Sequence, residues 1–280
     1  MAGRIQPGRA GLLVAEAGTS RVLAGGTDVL VQLRSGRVEP DLIVDIKRID
    51  GMYDIVEENG GFRVGAAVPG AQLSSHAGVK AAWPGVVEAL DLVGSTQIQS
   101  RATLAGNIGN ASPSADSVPA MVAAGAVARI HGPDGVRDLP VEEVATGPGK
   151  TSLAKGELIG SIFLPARPAH SADAYLRFIP RTEMDIAVVG AAVSLTMDGD
   201  EVASARVALG AVAPTVVLVP EAAAALEGKT IDEAEAGLAA AASAACNPIS
   251  DKRGTVEFRI KVAGVLAVRA ARIAADRAKG

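Results

Sequence analysis

Residues 21–36 read Arg21-Val22-Leu23-Ala24-Gly25-Gly26-Thr27-Asp28-Val29-Leu30-Val31-Gln32-Leu33-Arg34-Ser35-Gly36. Arg21 to Ala24 reads as a short buried strand. Thr27 and Asp28 are both N-cap residue types, Leu30 and Leu33 share one face of the short helix that follows, and Gly36 stops it. The glycine pair between strand and helix has a physical use. Without a Cβ the backbone can approach an anion closely, and the free N–H groups of a first helical turn point at it. Taken alone, the run also fits an ordinary tight strand–helix turn. Asp28 suits a phosphate neighbour only if its carboxylate caps the helix or turns away.

Outward from this run, Asp41 to Ile46 reads as a strand, and Asn59-Gly60 is a turn signal before a further strand from Gly61 to Ala66. The stretch 71–93 is helical in pattern, with a break at Trp83-Pro84. From Gly94 to Pro119 no period survives, which predicts a long polar loop of the kind that compact domains keep for function. It contains Thr103-Leu104-Ala105-Gly106-Asn107-Ile108-Gly109-Asn110. Gly106 and Gly109 permit close approach, while Thr103, Asn107 and Asn110 supply hydrogen-bonding side chains. Asp116 then leads into a helix with Pro119 in its first turn, either as an N-cap or as a carboxylate for ribose hydroxyls. A strand near 126–131 and the turn Pro133-Asp134-Gly135 follow.

After Pro165-Ala166-Arg167-Pro168 the pattern changes. Residues 187–197 and 204–212 read as strands joined by Asp198-Gly199-Asp200, an antiparallel meander, and Ala-rich helices run from about 220 to 245 and 255 to 278. The proline cluster predicts a boundary there: a first domain over 1–168, with subdomains about 1–50 and 51–168, and a second over 169–280.

Composition narrows the function. Of 280 residues 49% are apolar, enough for real cores, and the net charge of -4 comes with no basic block, so nucleic acid is not an expected partner. The one cysteine, Cys246, excludes a disulfide within the chain and a four-cysteine iron–sulfur site. The chain reads as reduced and intracellular, with no signal peptide and no apolar run long enough to span a bilayer. His76, His131 and His170 have no partner at ligand spacing, so they read as surface or loop histidines and no metal site is expected. G-x-G-x-x-G occurs nowhere, and Gly149-Lys150-Thr151 is not a P-loop, because Val144 stands where its first glycine belongs.

The two glycine loops and their spacing resemble the medium, FAD-binding subunit of the xanthine dehydrogenase and carbon monoxide dehydrogenase family of molybdenum hydroxylases. AGGTDVLVQLRSG resembles the family's first flavin segment and TLAGNIGNASPSADSVPA its second. The stretches from Glu157 to Pro165, from Arg181 to Ala187, from Ala208 to Thr215 and from Asp251 to Gly254 resemble further family segments, in order. The resemblance implies an α+β fold: a two-subdomain FAD-binding domain, then a C-terminal domain with a three-stranded antiparallel sheet and helices. It implies a cytoplasmic oxidoreductase subunit that holds FAD and relays electrons to a terminal acceptor. The [2Fe–2S] centres would lie on a small partner subunit and the molybdopterin cofactor on a large one, in a dimer of heterotrimers. No catalytic side chain is expected, because the flavin carries the redox chemistry.

By position in the family motifs, Ala24, Gly25, Gly26, Thr27, Asp28, Val29, Leu30 and Val31 should wrap the pyrophosphate. Thr103, Gly106, Asn107 and Ile108 should form a second wall, and Asp116 should bind ribose or ribityl hydroxyls. The Ile159 backbone should reach the flavin ring. Arg177 falls where many members have lysine, near the pyrimidine side; a surface salt bridge is the other reading of it. Three departures stand out: Ala105 replaces a glycine, Val93 replaces an aromatic near the ring, and the first twenty residues lack the usual aromatic-rich strand and clear helix. Two other functions remain open at this point: a free-standing flavin oxidoreductase of the same broad fold, and an assembly module without flavin.

Overall fold

A computed structural model describes residues 7–280; the first six residues of the N-terminal stretch noted above lie outside it. The described residues open with a helix, α1 (Pro7–Glu16), which buries Ala10 and Val14. Next come β1 (Ser20–Leu23), α2 (Val29–Arg34) and β2 (Leu42–Asp45), with β1 and β2 pairing in parallel, Val22 opposite Val44. A parallel pair needs a crossover, and the Gly25–Gly36 segment with α2 supplies it.

The next unit is built on a five-stranded sheet. β3 (Ile55–Glu58) and β4 (Gly61–Gly65) form a hairpin whose turn residues Asn59 and Gly60 have φ of 51° and 75°, as a two-residue turn of the primed type requires. Three helices follow: α3 (Gly70–Ser75), α4 (Ala77–Ala82) and α5 (Pro84–Asp91). The helical stretch therefore breaks at His76 as well as at Trp83.

Half of the segment read as a long loop from Gly94 to Pro119 is in fact helical: α6 (Thr96–Gln99), α7 (Leu104–Gly109) and the start of α8 (Ser117–Ala123). Helices this short give little periodic signal, and burial of Leu104, Ala105 and Ile108 outweighs the weak propensity of the Ser, Asn and Gly around them. β5 (Val127–Gly132) and β6 (Gly135–Pro140) form a hairpin, β7 (Ala145–Gly147) and β8 (Lys150–Thr151) a small ribbon, and β9 (Leu158–Leu164) closes the sheet in the order β3-β4-β9-β5-β6.

The last unit carries β10 (Ser171–Phe178), β11 (Val189–Asp198) and β12 (Glu201–Gly210), the three long antiparallel strands expected, with a two-residue β13 (Val217–Leu218) on the edge. The Ala-rich segment after 219 is two helices rather than one: α9 (Pro220–Leu226) and α10 (Ile231–Ala244), parted at Gly228 (φ 70°). The 24-residue α11 (Val256–Lys279) lies across β10 and β11 and against α10, where Gly264 lets the helices close, since a Cβ there would stand 2.8 Å from the Ala239 carbonyl oxygen.

Two cores result. Ile46, Leu73, Leu90, Ile108, Met121 and Ile162 belong to the first, and Val193, Leu195, Leu209, Leu238 and Ala267 to the second. The antiparallel sheet lies between them. Strand alternation sends Val193 to the second core and Ala192 to the first, where α5 and α8 pack against the sheet. No helix among the described residues is long and apolar enough to cross a membrane.

Candidate functional site

The two glycine segments meet. Gly25 packs so tightly on the second segment that a Cβ there would lie 1.9 Å from the Arg101 carbonyl oxygen. Gly26 takes φ 83°, a left-handed conformation that turns the chain out of β1. Behind the turn, Lys47 Nζ donates to the Ala24 carbonyl at 3.2 Å while paired with Asp45 at 2.7 Å. Gln32 in α2 donates to Asn110 Oδ1 at 3.0 Å.

The cradle leaves donors open. Among the described residues, none accepts a hydrogen bond from the N–H groups of Gly25, Gly26, Thr27 or Asp28, nor from those of Leu104 and Ala105 in the first turn of α7. Neither Thr27 nor Asp28 caps α2 as expected: Asp28 stands at the N-cap position with φ -98° and makes no side-chain cap bond. The surrounding chain partly screens its carboxyl from water, which raises its pKa. Val29 is half-buried and Leu30 and Val31 are exposed.

In the second segment the Thr103 hydroxyl caps α7 by accepting from Gly106 N at 2.9 Å. Asn107 Oδ1 accepts from the Ser117 N–H at 3.1 Å and from its hydroxyl at 2.7 Å, which ties α7 to the start of α8. Ile108 is buried beneath them, and Gly109 is open, a Cβ there meeting nothing nearer than Ile159 Cδ1 at 3.8 Å. Ile159 itself is buried in β9 opposite Ile130. Val93 packs half-buried at the edge of the first core.

Asp116 occupies the N-cap position of α8 but its side chain does not cap, so the N-cap reading is corrected. Its carboxylate accepts from Arg177 Nη1 at 2.8 Å and from the Tyr175 hydroxyl at 3.3 Å. The Arg177 ion pair is buried, with 4% of its side chain and 10% of that of Asp116 exposed, which corrects the surface salt-bridge reading. The same Nη1 donates to the Leu92 carbonyl at 2.7 Å. Burial pushes the Asp116 carboxyl up to about 6 in spite of both neighbours, and it raises the Tyr175 phenol as well.

Sequence reasoning missed Tyr175, Lys47, Gln32 and the Leu92 carbonyl. The two-residue spacing of Tyr175 and Arg177, which puts both on one face of β10, is the signal that was available. The histidine readings also change in part. His131 lies half-buried in β5 with its ring against Gly160, and His76 caps α4 through Nδ1. Among the described residues no group of His, Cys, Asp or Glu is arranged for a metal ion.

Residues 9–167 match the family described as the FAD binding domain in molybdopterin dehydrogenase, and residues 174–274 match the CO dehydrogenase flavoprotein C-terminal domain. This chain belongs to the FAD-binding subunits of the molybdenum hydroxylases. It is 33% identical to the carbon monoxide dehydrogenase medium chain of Afipia carboxidovorans over 93% of this chain and 90% of the relative. With a putative xanthine dehydrogenase FAD-binding subunit of Escherichia coli K12 it shares 34% identity over 73% of this chain and 71% of that one. The solved carbon monoxide dehydrogenase of Hydrogenophaga pseudoflava superposes with a TM-score of 0.93 at 32% identity, covering 97% of this chain and 95% of that one.

The flavin subunit's residues fit FAD. The open N–H groups of Gly25 to Asp28 and of Leu104 and Ala105 are the donor set a diphosphate needs, and at Gly109 the surface is free of side chain. The departure at Ala105 costs nothing visible here, because its methyl is buried in the first core.

Proposed function

We propose that this chain is the electron-transfer flavoprotein of a heteromeric molybdenum hydroxylase in the cytoplasm. In that role it takes electrons from [2Fe–2S] centres on a small partner subunit and passes them to a terminal acceptor. A large subunit carries the molybdopterin cofactor and the hydroxylation site, and the complex is a dimer of heterotrimers. The observation that carries the reading is the close packing of the two glycine segments at Gly25 against Arg101 and Ala102, with backbone N–H groups in both segments unpaired among the described residues. The single cysteine supports placing the clusters on a partner. The boundary between the two domains lies at 168/169.

In this reading Ala24 to Val31 hold the diphosphate through backbone N–H groups, with Lys47 bracing the turn from behind. Thr103, Gly106, Asn107 and Ile108 shape the second wall, and Val93 and Ile159 border the ring. Asp116 accepts from sugar-chain hydroxyls, and Arg177 sets positive charge at the edge of the site. FAD bound there supplies one- and two-electron exchange between cluster and acceptor; the chain itself binds, orients and tunes.

The test is purification from the native source through a tag on this chain. A large and a small subunit should co-purify, with flavin, molybdenum and iron in the preparation. A chain that purifies alone, without FAD and unable to take it up, refutes the proposal.

A further inference from the structure

We propose that Tyr175 is a positioning residue of the flavin site, its phenol fixing the Asp116 carboxylate so that the carboxylate holds Arg177. The proposal rests on the reading of Asp116 as a flavin-site group given above.

Three observations carry it. First, Tyr175 and Arg177 alternate along β10 and reach the same carboxylate, one oxygen each: the Tyr175 hydroxyl donates to Oδ1 at 3.3 Å and Arg177 Nη1 to Oδ2 at 2.8 Å. Tyr175 is 3% exposed, and a buried phenol needs a partner, which here is Asp116. Second, the neighbouring strand gives up a side chain to make room. Gly190, in β11 opposite Arg177, has the Tyr175 ring against it, and a Cβ there would lie 2.6 Å from the phenol oxygen. Glycine inside a strand weakens it and marks a close approach. Third, phenol and carboxylate come from opposite sides of the expected domain boundary, Asp116 from the segment that ends at 167 and Tyr175 from the one that starts at 174.

The arrangement gives the phenol work that phenylalanine cannot do. Arg177 and Tyr175 are the titratable groups that face Asp116. Burial opposes ionisation of the carboxylate, and the hydroxyl, by donating, favours the ionised form. An ionised Asp116 accepts from a ligand hydroxyl and anchors Arg177 between itself and the Leu92 carbonyl. Losing the phenol removes one of the donors and leaves the carboxylate free to turn.

The experiment uses the complete complex, stripped of FAD and titrated with it between pH 5 and 8, with flavin fluorescence quenching as the readout. Wild-type affinity should fall as pH drops through about 6, as Asp116 takes up a proton. Tyr175→Phe should weaken FAD about fivefold at neutral pH, the size of one hydrogen bond, and move the inflection to higher pH. Gly190→Ala, which keeps the phenol but displaces it, should shift both in the same directions. A folded Tyr175→Phe or Gly190→Ala complex with wild-type affinity and inflection overturns the proposal. Asp116→Asn separates the two readings: if it binds FAD like wild type, the assignment of Asp116 itself is wrong. If it loses FAD while the other two variants behave as wild type, only the role of Tyr175 is wrong.

Discussion

Gln32 donates to Asn110 at 3.0 Å across 78 residues of sequence, and this bond is the direct side-chain link between the helix after the first glycine loop and the end of the second. Gln32→Ala is expected to leave the fold intact and to weaken FAD about fivefold, the worth of one neutral hydrogen bond that preorganises the cradle. Asn110→Ala should match it, and the double variant should be no worse than either. Equilibrium FAD titration of the three variants checks this.

Gly25 and Gly109 make opposite demands. At Gly25 a Cβ would overlap the Arg101 carbonyl oxygen at 1.9 Å, so Gly25→Ala should cost about 3 kcal/mol and lower the melting temperature markedly. At Gly109 a Cβ has room, so Gly109→Ala should hold or slightly raise stability by improving helix propensity. On the proposed reading it should still lower flavin content, because the methyl would narrow the open face beside Ile159. Thermal unfolding and absorbance of extracted flavin, measured together, separate the two effects.

Asp173 and Arg167 form a buried pair at 2.9 Å, with 3% and 11% of their side chains exposed. Arg167 stacks over the Trp83 ring at 4.1 Å, Asp173 Oδ2 accepts from the Val86 N–H at 3.2 Å, and Arg277 of α11 donates to the Asp173 carbonyl at 2.8 Å. Asp173→Ala strands the guanidinium and should cost about 3–5 kcal/mol in urea unfolding. Replacing both partners by apolar residues (Asp173→Leu with Arg167→Met) should cost less than the single change.

The Asp116 carboxyl sits at about 6 in the folded chain against an ordinary 3.8. Between those values the folded state binds more protons than the unfolded one. Its contribution to stability therefore falls as pH rises from about 4 to 6 and is constant above that. Asp116→Asn removes this slope. The difference in melting temperature between variant and wild type should shift in favour of the variant from pH 4.5 to pH 7. A difference that stays flat across this range contradicts the raised value.

Much of this was legible in the sequence. Asn59-Gly60 and Asp198-Gly199-Asp200 marked hairpins because turn geometry is local, and both turned out to join antiparallel strands. The strand–glycine–helix run at 21–34 was readable for the same reason. The stretch 94–119 was not, because helices of four to seven residues are fixed by what they bury and not by their own period. The buried pair Asp116–Arg177 was illegible in a different way. Each residue was singled out separately, but their contact depends on how β10 docks against α8, 61 residues away in sequence. The break at Gly228 was overlooked because a run of alanines on both sides hid a change of direction.

The helix α2 buries none of its six side chains, and Leu30 and Val31 face outward. A helix of under two turns with no apolar anchor contributes almost nothing to its own persistence. Its amide hydrogens should exchange among the fastest of the chain, and those of β11, most of which is buried, among the slowest. If FAD sits in the cradle as proposed, its binding should narrow that gap. On the proposed reading the ligand should supply the order that the segment lacks, with part of its binding energy spent on freezing α2 in place.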